Sequence, residues 1–347
     1  MTKEVKKRDI SYEIIRVIAM IMVVVVHEMP TYIVKQSDGY LFLAFDALLC
    51  ACNALFFLLA GRFAFRMNLD DKNLYKKYYW KKALGLIIPM LVYMAIKNWH
   101  VMVYNQHLTV TPISYLKHFG IALINGFSYM EYWFLYILIA CFLAAPFFAR
   151  MVQNMKDRDK KAFFIVGLIM STIATFVPVL GVSFAVKYYF VGHILLFFLG
   201  AMIEDIFKDR KTQLRLYIIG LLSLVINTAL ILVAHYTEGY KSTSPFYILF
   251  SVASFMFIKN VVKLPKKLDK VILFLGKHSL AVYMTHIIIL YAVNDLIVLP
   301  NGILSLILAS ILITAGSVLV GFIIDNTIIK WLQKLTIKIF KLENVIK

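Results

Sequence analysis

The chain has 347 residues, 61% of them apolar and only 16% charged, and its mean hydropathy is +0.79. Soluble chains carry about 25% charge, so this composition excludes a soluble globular domain and points to an integral membrane protein. The net charge of +18 calls for no nucleic-acid partner, because membrane proteins gather Lys and Arg on their cytoplasmic side, where anionic lipid headgroups attract them.

Apolar stretches of about 20 residues are long enough to cross the hydrocarbon core. The first, 10–29, reads ISYEIIRVIAMIMVVVVHEM and contains Arg16 and His27. Ionisable groups inside a span cost roughly 2.5–3.5 kcal/mol each even on lenient insertion scales, and so mark partners or function. Helical geometry of about 100° and 1.5 Å per residue returns these two to within roughly 20° of one face, about 16 Å apart.

The second stretch, 41–65, carries Asp46, Asn53 and Arg62, and a basic connection with Lys76, Lys77, Lys81 and Lys82 follows. The third, 83–103, ends in Lys97, Asn98, Trp99 and His100. Residues 111–127 are apolar but interrupted by Lys117, His118 and Gly126, so they read as an interfacial or re-entrant piece. The fourth stretch, 132–151, opens on Glu131, Tyr132 and Trp133. Then come 162–180, 188–207 (opened by Lys187, Tyr188 and Tyr189, with His193 inside), 214–235 and the short, Ser-rich 245–262. The ninth, 271–293, has Lys277 and His278 at its base and Tyr283 and His286 further along; the tenth is 303–325.

With the N-terminus inside, 29 of the 37 Lys and Arg residues fall on cytoplasmic segments, and only Lys35, Lys117, Lys187 and Lys241 fall on outer loops. The expected fold is therefore an all-α membrane protein of about ten spans with both termini cytoplasmic. It forms a single domain over 1–347 and is multi-pass in the plasma membrane. No secretory leader is expected, since no small-residue cleavage site follows the first span. Three cysteines, Cys50, Cys52 and Cys141, give no disulfide framework, and no metal site is expected.

This topology sorts the polar residues by depth. An outer set holds His27, His100, His193 and His286, the carboxylates Glu28, Asp46 and Glu131, and Trp99, Trp133 and Tyr189. An inner set holds fixed cations, among them Arg16, Arg62, Lys76, Lys77, Lys81, Lys82 and Lys277. Imidazole is the usual general base near neutral pH, and Asp46 or Glu28 would orient His27 as the carboxylate of a triad does. Aromatic faces and carboxylates at the outer rim suit a sugar, and inner cations suit a phosphorylated donor.

The chain resembles membrane acyltransferase family 3, whose members O-acylate surface polysaccharides. The resemblance rests on an ordered series. Arg16 and His27 stand in the first span with ten residues between them, and Asn53 to Phe63 (NALFFLLAGRF) closes the second. The basic loop from Lys76 ends at Pro89, and Trp133-Phe134-Leu135 opens a later span. Phe197 to Gly200 (FFLG) closes another, and Tyr283-Met-Thr-His286 lies near the C-terminus. The chain departs from the family at Ala60, where a small hydroxyl residue is usual, at Arg62 in place of a tyrosine, and at Gly85 in place of an arginine. Lysines replace arginine elsewhere in the basic loop, and Lys lacks the planar fork for bidentate phosphate binding.

The resemblance implies a ten-span fold, acyl-CoA (acetyl-CoA foremost) as cytoplasmic co-substrate, His27 as catalytic base and Arg16 as a donor-binding residue. Arg62, Lys76, Lys77, Lys81 and Lys82 join Arg16 on the donor side. Glu131, Trp133, Tyr283 and His286 are the candidates on the acceptor side. The expected partners are acyl-CoA, a carbohydrate or lipid-linked glycan, membrane lipids and, for a homo-oligomer, a second copy of the chain. A transporter or polysaccharide exporter is the rival class, since many spans and intramembrane charges serve it too. No inverted repeat supports it.

Overall fold

The computed structural model describes residues 9–33, 39–125, 130–178, 181, 191–234 and 244–345. Among them every regular element is a helix. In chain order these are α1 (Ile10–Tyr32), α2 (Gly39–Leu49), α3 (Ala51–Ala64), α4 (Leu74–Lys82), α5 (Ile88–His100), α6 (Pro112–Asn125), α7 (Trp133–Asn154) and α8 (Asp157–Phe176). There follow α9 (Gly192–Ile206), α10 (Arg210–Ala234), α11 (Pro245–Asn260), α12 (Asp269–Lys277), α13 (Ser279–Leu296), α14 (Ile303–Ile324) and α15 (Lys330–Ile339).

Seven helices among the described residues are long and apolar enough to cross a membrane. They are α1, the α2–α3 pair, the run from α4 through α5, α7, α10, α13, and the run from α14 through α15. The stretches read at 162–180, 188–207 and 245–262 fall on α8, α9 and α11. The α8 helix begins with the charged run Asp157 to Lys161, while α9 and α11 have 15 and 16 residues. Lys35, Lys187, Tyr188, Tyr189 and Lys241 lie outside the described residues.

Two stretches read as single helices are interrupted. The second breaks at Cys50 between α2 and α3, and the ninth breaks at His278 between α12 and α13. At the second break the Ser279 hydroxyl donates to the carbonyl of Gly276 (3.0 Å), satisfying a terminal group of α12 as α13 starts. The interfacial segment is a helix, α6, held to α5 by Tyr115 donating to the Ala95 carbonyl (2.8 Å) and by His118 Nδ1 donating to Asn98 Oδ1 (2.6 Å).

Between α4 and α5 the chain widens into a π-helical turn, Ala83–Ile87. Pro89 stands two positions past its end, and proline lacks an N–H and crowds the carbonyl four residues before it, here that of Gly85. A wide turn relieves that crowding. The Leu84 carbonyl within it accepts from Gln333 Nε2 of α15 (2.8 Å).

The chain divides into two compact units. The first comprises Met1–Val26, Gly39–Gly61 and Asp157–Ser279; the second comprises His27–Asp38, Arg62–Lys156 and Leu280–Lys347. Each draws on three separated segments, which is why no boundary is visible in the sequence. The α1 helix contributes to both.

In the first unit, α3 and α9 cross backbone to backbone. A Cβ on Gly61 would collide with the Phe197 carbonyl, and one on Gly200 with the Leu58 carbonyl. Small residues at such crossings are how membrane helices approach closely, so the glycines of the AGR and FFLG motifs form the two halves of one contact. In the second unit, α14 meets α13 through Gly316 against Ile289 and Gly321 against Ala281. The Tyr93 hydroxyl of α5 donates to Asp325 Oδ1 (2.7 Å) just past the end of α14.

Candidate functional site

Both units carry buried polar clusters, and the larger belongs to the second unit. Its centre is a pair of histidines. The His27 ring, near the C-terminal end of α1, lies with its centroid 5.1 Å from that of His286 on α13. His27 is exposed, whereas His286 is fully buried. His286 Nδ1 faces the carbonyls of Tyr283 (2.7 Å) and Val282 (3.2 Å). Carbonyls only accept, so Nδ1 carries the proton, and in the neutral ring Nε2 keeps its lone pair. That Nε2 is buried with no hydrogen-bond partner.

One turn before His286, Tyr283 donates to the backbone carbonyl of Glu131. Next to it, Tyr132 donates to the Met284 carbonyl (2.7 Å). Two tyrosines, one from each side, therefore rivet the short 3-10 turn Met130–Tyr132 to α13. The Glu131 side chain turns to α5, where Lys97 Nζ lies 2.9 Å from its Oε1, and both side chains are nearly buried. Lys97 also lies over the Tyr291 ring at 6.0 Å, and His100 stacks near the same ring at 6.1 Å. The cluster so joins His27, His286, Tyr283, Glu131, Lys97 and Tyr291.

Glu28 turns away from its neighbour along the chain, as adjacent helical residues do. It is fully buried and accepts from Asn294 Nδ2 (3.3 Å), whose Oδ1 accepts from the Tyr32 hydroxyl (3.3 Å). The Tyr32 carbonyl accepts in turn from the Gly302 N–H (2.9 Å). Contacts His27–His286 and Tyr32–Asn294 climb both helices in the same sense, so this end of α1 and α13 run parallel.

The expected donor-side residues are divided between the units. In the first, Arg16 Nη1 lies 2.7 Å from Glu13 Oε2 in the preceding turn of α1. The Glu13 carboxylate abuts Gly276, where any side chain would collide with it. Nearby along α1, Tyr12 donates to Glu204 Oε1 (2.6 Å), and Lys259 pairs with Glu204 Oε2 (3.1 Å). Asp46 also belongs to this unit, is buried and accepts from the Cys50 thiol (3.3 Å).

In the second unit, Arg62 is half-buried near the end of α3, and Lys76 and Lys81 of α4 are exposed. Lys77 pairs with Asp71 (3.4 Å). Lys82 instead lies 3.4 Å over the Phe142 ring and 5.6 Å from the Tyr78 ring, a cation–π setting. Trp133 is half-buried at the first position of α7, directly after the riveted turn. No group of three His, Cys, Asp or Glu among the described residues is arranged to hold a metal ion.

A family model described as an acyltransferase domain matches residues 9–325, nearly the whole chain. The chain belongs to acyltransferase family 3. No curated protein and no solved structure matches it significantly. As a member of this family with seven long apolar helices among its described residues, it is a multi-pass membrane acyltransferase. All six family signatures read from the sequence fall inside the matched stretch.

The partners in the two units differ in how far the sequence shows them. Glu13 stands three residues before Arg16, a spacing that already predicts a helical ion pair. Asn294, Tyr32 and the Lys97–Glu131 pairing depend on helices far apart in sequence, and no local signal points to them.

Proposed function

We propose that this acyltransferase moves an acyl group, foremost acetyl, from cytoplasmic acyl-CoA to a hydroxyl of an extracytoplasmic carbohydrate or lipid-linked glycan. In this reading the protein crosses the plasma membrane about ten times with both termini inside. The observation that carries the proposal is the exposed His27 ring set against buried His286. A substrate can reach the first imidazole, and the second, neutral with its free lone pair on Nε2, leaves the first able to take up a proton.

His27 acts as general base. It removes the proton of the acceptor hydroxyl as that oxygen attacks the thioester carbonyl. The tetrahedral oxyanion collapses, the C–S bond breaks, and the departing CoA thiolate recovers the proton from His27. Fixed charge nearby, here the Lys97–Glu131 pair, favours such charge development in a site of low dielectric. Glu131, Trp133, Tyr283 and His286 line the acceptor side.

Arg16, Arg62, Lys76, Lys77, Lys81 and Lys82 serve the donor. Guanidinium offers five N–H donors, and the Glu13 contact engages Nη1, so Arg16 has donors left for a phosphate oxygen. Of the lysines, exposed Lys76 and Lys81 are best suited to meet the phosphates, while Lys82 is occupied by aromatic faces.

Comparison of surface-glycan acetyl content in cells carrying the wild-type gene and His27→Ala tests the proposal. Loss of a general base lowers the rate by about 10²–10⁴-fold, so acetylation should fall to background. A His27→Ala protein that inserts normally and still transfers at the wild-type rate would overturn it.

A further inference from the structure

The helix that begins with α14 does not stop where a span should. From Ile303 to Ile339 it runs 37 residues, interrupted only by the π-helical turn Asp325–Ile329. At 1.5 Å per residue that is about 55 Å, against a hydrocarbon core of about 30 Å. The excess is α15, and it lies beyond residues 9–325, the stretch matched by the family model.

The exposed half of α15 has two rows. Lys330, Lys334 and Lys338, four residues apart, form one, and Lys341 continues it past the end of the helix; all four are exposed. Trp331, Leu335 and Ile339 form the other, 61%, 38% and 61% exposed. Rows offset by one residue lie about 100° apart on a helix. The third side faces protein: Ile329 is buried, Gln333 Nε2 donates to the Leu84 carbonyl (2.8 Å), and Phe340 packs on Trp80 with centroids 4.8 Å apart.

The end of α15 is built as well. Lys341 adopts φ 50°, and the Leu342 N–H bonds back to the Ile337 carbonyl (2.9 Å), which closes the helix in a Schellman-type turn with Leu342 fully buried. This fixed element therefore presents a basic row beside an apolar row, at the point where a span leaves the hydrocarbon. A row of Trp, Leu and Ile is not stable against water over more than two turns, and a row of lysines is not stable among acyl chains. The boundary between acyl chains and negatively charged headgroups satisfies both.

We propose that α15 is a docking site for anionic phospholipid, with Lys330, Lys334, Lys338 and Lys341 on headgroup phosphates and Trp331, Leu335 and Ile339 among the acyl chains. The Gln333 and Phe340 contacts make this lipid-held helix a brace for the π-helical turn and for Trp80 of the basic α4 helix, within the same unit.

The test uses full-length protein in vesicles of phosphatidylcholine containing one-fifth brominated lipid, with Trp80, Trp99 and Trp133 changed to Phe so that Trp331 reports alone. Bromine on phosphatidylglycerol should quench Trp331 several times more than bromine on phosphatidylcholine. Changing the four lysines to Gln should remove the difference. Equal quenching by the two lipids overturns the proposal. If the single-Trp protein does not fold, the otherwise wild-type protein and its four-Gln form are exchanged into equal mixtures of the two lipids and the bound lipid is weighed by mass spectrometry. Since juxtamembrane lysines act additively on anionic lipid, enrichment of phosphatidylglycerol by roughly fivefold or more is expected for wild type and none for the four-Gln form; equal enrichment in both again overturns it.

Discussion

His286 holds its ring 5.1 Å from that of His27 and turns its protonated Nδ1 toward two carbonyls of its own helix. The helix itself thereby sets the tautomer, and the atom left over, Nε2, is an acceptor with nothing to accept. Such a group in a buried cluster is costly unless it has a task.

Substitution of His286 separates the two ring nitrogens. An Asn at this position retains a donor near Nδ1 and lacks the distal acceptor, while Gln restores a polar atom near Nε2. His286→Asn should insert normally and lower acyl transfer by about 10–100-fold, with His286→Gln recovering part of that loss. Transfer of radiolabelled acetyl from acetyl-CoA by the purified proteins measures it. Equal activity of the Asn form and wild type would remove Nε2 from the mechanism.

The Glu28–Asn294–Tyr32 chain predicts a stability effect instead. Asn294→Leu strips a fully buried carboxylate of its donor and should cost about 1–3 kcal/mol, read as a lower melting temperature in detergent. The double change Glu28→Leu with Asn294→Leu removes both partners and should recover much of the loss, giving a coupling that a double-mutant cycle reads directly. Additive losses would show that the two side chains do not depend on each other.

Lys97 and Glu131 should behave in the same way with larger amplitude. Glu131→Gln leaves a buried ammonium without its counter-charge, at a cost of about 3–5 kcal/mol, whereas Lys97→Met with Glu131→Leu should be much milder. Thermal unfolding of the three proteins decides it. A single variant as stable as the double would mean that water reaches the pair.

The connection before α4 supplies a pH dependence. Asp71 accepts from the Asn73 N–H (2.9 Å) and from Lys77 (3.4 Å), and chiefly the Asn73 bond holds its carboxyl below the ordinary value of 3.8. A lowered folded value means that the tie is fully present at neutral pH and is lost as pH falls below about 4 through the depressed value. Amide exchange over residues 68–77, corrected for intrinsic rates, should accelerate between pH 5 and pH 3 in wild type and already be fast at pH 5 in Asp71→Ala. An exchange rate indifferent to both changes would show that Asp71 does not order the turn.

Much of this layout can be read from the residues alone. Each apolar stretch falls on a helix, because length and apolarity are local properties. His27 stands out because an imidazole inside a span is costly. The interruption at Cys50 is not legible, since it lies in a continuous apolar run, whereas the one at His278 falls on the polar residues Lys277, His278 and Ser279. Pairings such as Glu28 with Asn294, 266 positions apart, are set only when distant helices meet. The Gly61 and Gly200 segments are recognisable as motifs, yet their physical reason, one shared crossing, appears only in three dimensions.

That crossing bears on biogenesis. Leu58 and Gly61 emerge from the ribosome well over one hundred residues before Phe197 and Gly200, with which they interlock. Until then the nascent α3 must wait in the bilayer with its glycine notch unfilled, as must α1 until α13 is made. Insertion of this enzyme is therefore separated in time from its assembly, and a chain truncated before α9 would hold membrane-ready helices that have nothing to close on.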